Sequence, residues 1–255
     1  MIPTSAVPPA TATSRLSGWA KLPCTWQLEG SQHRALANRQ TGEVITALKI
    51  YLALCLYANF KPNGRFSVSG CAQRSIGDFS HALKLSRPSV VKGFRVLRER
   101  GIVERLGGRP EIYRIAHYET APNWTRLPKE YLVGGSRSRQ IARLAGLPSR
   151  GRVAANALRL YIYVASILNR NTNAATVGYA RLMEILGLDR TAVSNAVSLL
   201  IEHQLITVRN NKMAMVIDEL YRGNLPKEVY DSTNSYFLRG FSNRKSPASE
   251  GTAGR

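Results

Sequence analysis

Val44, Ile45, Leu48, Tyr51, Leu52, Cys55 and Leu56 recur at the spacing of one helix face, which predicts a buried amphipathic helix ending near Asn59, ahead of Pro62 and Gly64. Ile76, Phe79 and Leu83 share a face over 75–83, a second and shorter helix. Ser86 then fits an N-cap with Pro88 in the first turn of a third helix, whose apolar stripe is Val90, Phe94 and Leu97 and whose stop is Gly101. Gly93 lies beside that stripe. Mid-helix glycine costs about 1 kcal/mol relative to alanine, so a close helix crossing is the expected reason. After Gly101 the periodicity shortens to IVERL, a GGR turn and PEIYRI, the pattern of a β-hairpin.

The same order returns downstream. LKIYLALCLYAN at 48–59 aligns with LRLYIYVASILN at 158–169, an offset of 110, and residues 86–106 align with DRTAVSNAVSLLIEHQLITVR at 189–209, an offset of 103. The seven-residue difference falls in the connection FKPNGRFSVSGCAQR of the first copy, where insertions are tolerated. LPKEYL at 127 and LPKEVY at 225 form a looser echo after each copy. The second copy therefore predicts helices over 154–169, 177–186 and 190–203, a strand LITVR, a turn NNK and a strand MAMVI. The expected fold class is mainly α with small β wings, an α+β chain of two tandem related domains. The divisions are an N-terminal arm and lead-in at 1–42, a first unit at 43–116, an Arg-rich linker at 117–152, a second unit at 153–220, and a C-terminal extension with a disordered tail at 221–255.

Charge changes this picture from architecture to partner. The chain of 255 residues carries 36 Lys and Arg against 16 Asp and Glu, a net +20 that favours polyanions. The excess is +8 over 43–116 and +5 over 117–152, but only +1 over 153–220. Within 134–152 there are five Arg and no acid, and the Gly, Ser and Pro content there argues against a packed domain. Apolar runs fall short of the ~20 residues that span a membrane. The first residues lack the charged and apolar regions of a secretory signal, so a cytoplasmic, nucleoid-associated or plasmid-bound location is expected. Cys24, Cys55 and Cys71 form no CxxC pair, which favours buried thiols over a disulfide framework or zinc site.

Ser86-Arg87 with Val90, Gly93, Leu97 and Gly101-Ile102-Val103 in the first copy, and Asp189-Arg190 with Val193, Ala196, Leu200 and Gln204-Leu205-Ile206 in the second, resemble the winged helix-turn-helix superfamily over roughly 43–116 and 153–220. The tandem form is similar to plasmid and phage replication-initiator and replisome-organiser proteins, and each unit alone to bacterial repressor domains. The resemblance implies double-stranded DNA as partner and the third helix as reader. In that helix Arg87, Ser89, Val91, Lys92 and Arg95 leave the core stripe near its N-terminal half, the part that enters the major groove in such motifs. Arg87 and Lys92 suit guanine or phosphate and Val91 a thymine methyl; a solvated basic face is the competing reading. The matching face of the second copy is Arg190, Thr191, Ser194 and Asn195, with Asn195 suited to adenine. Arg109 at the first wing tip and Lys212 at the second are candidates for the minor groove, and Arg137 and Arg139 in the linker for phosphates.

No GxxxxGK loop, GxSxG motif or clustered carboxylates suggest catalysis, and His33, His81, His117 and His203 show no metal-ligand spacing. No enzyme, cofactor, metal or small-molecule ligand is expected; a homodimer through the near-neutral second unit is. The role then reads as replication initiator or transcriptional regulator of a plasmid or phage type of element. Two alternatives come from other classes: a basic RNA-binding or ribonucleoprotein component, disfavoured by the lack of a visible aromatic cluster on strands, and a winged-helix adaptor for protein contacts.

Overall fold

The computed structural model describes residues 18–134, 140–169, 171–210 and 234–241. Within them the chain is a mixed α+β structure of helices and small antiparallel sheets. It opens with β1 (Ala20–Pro23), a 3-10 turn at Trp26–Leu28 and α1 (Gly30–Ala37), all inside the region read as an arm and lead-in. α2 (Thr41–Tyr57) follows, and every residue from Val44 to Leu56 is buried. The expected one-sided helix is thus covered all round, because a second long helix packs on the face that periodicity assigned to solvent.

β2 (Cys71–Gln73) was not anticipated; three residues are too few for alternation to register inside a loop. α3 (Ile76–Leu83) starts at a capping box in which the Ser75 hydroxyl accepts from the Asp78 amide at 3.0 Å and the Asp78 carboxylate from the Ser75 amide at 2.9 Å. α4 (Arg87–Glu99) is capped by Ser86, whose hydroxyl accepts from the Ser89 amide at 3.3 Å. Its Val90, Phe94 and Leu97 are buried as expected, and Val96 with them. Gly93 faces α2: a Cβ there would lie 2.7 Å from Ile50 Cδ1 and 3.2 Å from the Ala47 amide nitrogen. β3 (Val103–Gly107) and β4 (Ile112–Ile115) make the hairpin, and β2 completes a sheet of order β2-β4-β3.

The 117–152 stretch departs from its reading as an unpacked linker. β5 (Trp124–Leu127) pairs antiparallel with β1, and α5 (Lys129–Val133) and α6 (Ala142–Gly146) follow. Ile141, Leu144 and Leu147 are buried, a sparse stripe that the surrounding Gly, Ser and Arg concealed. α6 packs on α3, with the Ile141 amide donating to the Ala82 carbonyl at 2.9 Å.

α7 (Arg152–Ser166), β6 (Ala174–Val177), α8 (Tyr179–Leu186), α9 (Arg190–Glu202), β7 (Ile206–Asn210) and β8 (Asn234–Leu238) repeat the order of the first copy. The sheet order β6-β8-β7 matches too, with Ala175, Tyr236 and Val208 in register where the first sheet has Ala72, Tyr113 and Arg105. The offset changes at one visible place: the Asn59 amide donates to the Cys71 carbonyl at 3.0 Å, and the Asn169 amide to the Ala174 carbonyl at 2.9 Å. The predicted strand MAMVI lies outside the described residues; among the described residues the middle strand of this sheet is β8, which was not anticipated. β8 supplies Tyr236, fully buried where the first sheet buries Tyr113.

The two copies share one hydrophobic core, with α2 packed directly on α7. Their lead-ins are exchanged: α6, which precedes α7, packs on α3 of the first copy, while α1, which precedes α2, packs on α8 of the second. There Gly30 abuts the Ile185 backbone and the Arg34 guanidinium donates to the Glu184 carbonyl at 3.5 Å.

Candidate nucleic-acid interface

α4 is fixed from behind by its apolar stripe, and Phe94 stacks on Tyr113 of the hairpin with ring centres 4.0 Å apart. That contact sets the hairpin against the helix. On the outer side the structure brings Arg87, Ser89, Val91, Lys92 and Arg95 together as one face. Val91 is 54% exposed, which no packing role explains. Among the described residues neither Arg87 nor Lys92 enters an ion pair, whereas Arg95 lies 3.4 Å from Glu43 and 3.8 Å from Glu99. Ser89 is half-buried and shares a 2.8 Å hydrogen bond with the Ser86 hydroxyl.

A groove of about 360 Å³ runs beside the start of α4, lined by Lys84, Ser86, Ser89, Lys92, Ser149 and Arg150, with Glu43 on one wall. Sequence reasoning singled out neither Lys84 nor Arg150 as a site. What places Arg150 there is Lys49, a fully buried residue of α2 whose ammonium donates to the Leu147 carbonyl at 2.6 Å and reaches the Ser149 hydroxyl at 3.4 Å. Burial lowers its pKa to about 8. The available signal was a lysine amid an otherwise apolar helix, answered by Arg159 at the matching point of α7, which is buried and bonds Asn156 Oδ1 and the Leu186 carbonyl.

In the second copy Arg190, Thr191, Ser194 and Asn195 are exposed on α9 as expected. Arg190 sits over the Tyr179 ring, 5.8 Å from its centre, and Asp189 caps the helix through a 2.7 Å bond from the Ala192 amide. This face is polar and carries one cation. Arg109 is exposed at the tip of the β3–β4 hairpin, after Gly107 and Gly108 at φ 90° and 95° turn the chain. Lower on that hairpin, Arg105 pairs with Glu111, which also accepts from the Tyr113 hydroxyl at 2.7 Å. Arg137, Arg139 and Lys212 lie outside the described residues.

A further group was missed. Trp19 stacks on Trp124 at 5.8 Å with 20° between planes, and Phe60 meets both rings edge-on at 5.4 and 6.4 Å. Trp124 alone of the three lies on a strand, and both tryptophans are half-buried; Trp19 and Trp124 lie 105 residues apart in sequence and are brought together by the β1–β5 pairing. The local signal was a shared spelling, Trp-Ala-Lys and Trp-Thr-Arg.

All three cysteines are buried thiols, and burial raises the pKa of Cys55 and Cys71. Among the described residues no three His, Cys, Asp or Glu are grouped to hold a metal ion, and no helix is long and apolar enough to cross a membrane. No protein-family model, curated protein or solved structure matches the chain.

Proposed function

We propose that this chain is a sequence-specific double-stranded DNA-binding protein of two winged helix-turn-helix units, acting at a plasmid- or phage-type site as replication initiator or transcriptional regulator. The observation that carries the reading is the outer face of α4, where Arg87 and Lys92 stand outside any ion pair among the described residues and flank an exposed Val91. In the major groove, Arg87 and Lys92 donate to guanine or phosphate and Val91 meets a thymine methyl. Lys84 and Arg150 beside the helix start hold the backbone, and Arg109 at the wing tip enters the minor groove. α9 reads with Asn195 and Ser194 but adds little counterion release, so its engagement depends on the first unit or on a second protomer.

Selection from a random duplex pool at physiological salt tests this reading: enrichment of one motif is expected, and a pool without preference removes it. Footprint length on the selected site separates the two modes. Two adjacent half-sites indicate both units of one chain, and a palindrome indicates two protomers using α4 each.

A further inference from the structure

We infer that the outer face of the β1–β5 ribbon is a second nucleic-acid site, one that takes single strands by stacking unpaired bases on its aromatic rings. The pairing of Lys21 with Arg126 and of Pro23 with Trp124 fixes which side chains share a face. Ala20, Leu22, Thr125 and Leu127 point inward and are buried. The alternate positions carry the half-buried Trp19 and Lys21 on one strand, with the next of them, Pro23, buried, and the half-buried Trp124 and exposed Arg126 on the other. Arg126 lies 5.3 Å from the centre of Trp19 and Lys21 5.8 Å from that of Trp124.

A cluster built only to fill space would be ringed by apolar neighbours. This one alternates rings with cations and borders Phe60, which is 48% exposed and followed by the exposed Lys61. Glu119 is the acid that faces Lys21, but its carboxylate is held by the Ser69 amide and hydroxyl at 2.9 and 2.7 Å. The tryptophans are half-buried and Lys21 donates to the Tyr118 carbonyl at 2.6 Å, so the exposed Phe60 ring, the tryptophan edges and the exposed Arg126 and Lys61 are what match a strand whose bases have a face free to stack and whose phosphates follow the cations. Duplex bases are already stacked and offer no such face, so this site and α4 bind different forms of nucleic acid. The inference stands on its own geometry and does not need α4 to read DNA.

The test uses the full chain and fluorescence anisotropy of labelled oligo-dT and oligo-U of about 15 nucleotides, beside a duplex of random sequence. Both single strands are expected to bind, and a preference between them tells DNA from RNA. Trp124→Ala and Phe60→Ala are each expected to weaken that binding by about 5- to 150-fold, the range for loss of one stacked base. Trp124→Tyr restores part of it, and Arg126→Glu weakens binding and flattens its salt dependence. Arg87→Ala with Lys92→Ala leaves it unchanged. Unaltered single-strand affinity in Phe60→Ala and Arg126→Glu, both exposed and with the parental thermal midpoint, overturns the inference. So does loss of single-strand binding in the α4 double variant, or capture by the ribbon of an uncharged proline-rich peptide in preference to the oligonucleotides.

Discussion

Gly93 lies where α4 crosses α2, and a methyl there meets Ile50 Cδ1, Thr46 Cγ2 at 2.8 Å and backbone of Ala47. Alanine would gain about 1 kcal/mol of helix propensity but overpack the crossing at a cost of about 1–3 kcal/mol. Gly93→Ala is therefore expected to destabilise, read as a lower urea midpoint, although the second copy buries Ala196 at the same point of α9. Glu43 has the opposite relation to the candidate interface, since its carboxylate holds Arg95 back from solvent phosphate. Glu43→Gln should raise duplex affinity and steepen the slope of log K against log salt by about 1. Arg87→Ala with Lys92→Ala should flatten that slope by about 2 and lower affinity for the selected site at least tenfold, if each cation meets a phosphate or base. Titration at several salt concentrations checks both, and an unchanged slope in the double variant would remove α4 from the interface.

At the scale of elements, the periodic helices were readable because each carries its own apolar positions, and α3, α4 and α9 a side-chain cap as well. Ser86, Pro88 and Gly101 delimit α4 in sequence as they do in space. The strands β3, β4 and β7 were readable too, whereas β2, with three residues, and β8, which begins at Asn234, were not. The β3–β4 hairpin is held by Phe94 stacking on Tyr113 and by Tyr113 bonding Glu111. Arg109→Ala at its tip should leave thermal stability within about 0.5 kcal/mol, as for other exposed substitutions, while reducing duplex affinity. A loss of folding instead would show that the tip is structural.

Over the whole molecule, crossed lead-ins and the α2–α7 contact tie the copies together, so unfolding should be a single transition with equal calorimetric and van't Hoff enthalpies. Two separate transitions would refute that coupling. Buried ionisable groups give the fold a pH signature. His33 is fully buried and its Nε2–H donates to the Gln27 carbonyl at 2.8 Å; burial, with the nearby Arg159 charge, lowers its pKa to about 4. Its unfolded form binds a proton near pH 6.5 while the folded form does not, so stability falls as pH drops through 6.5 towards 4. For Lys49, with a folded pKa of about 8 against 10.5, the unfolded chain again binds the extra proton, and stability rises from about pH 8 upward. Denaturation midpoints across pH should show the acid slope, absent in His33→Gln; because buried tyrosines and cysteines titrate in the opposite sense at alkaline pH, the Lys49 contribution is read as the difference between the protein and Lys49→Met above pH 8.

Residue order alone determined the duplicated helices, their caps, the core stripe of α4 and the outward set around Arg87, because helical periodicity and capping are local and one face must be apolar. Tertiary structure decided what joins distant residues: the pairing that stacks Trp19 on Trp124, the Lys49 bond that sets Arg150 beside α4, and the packing that turned a basic linker into part of the core. These rest on contacts between residues 59 to 105 positions apart in the chain, which no local pattern encodes.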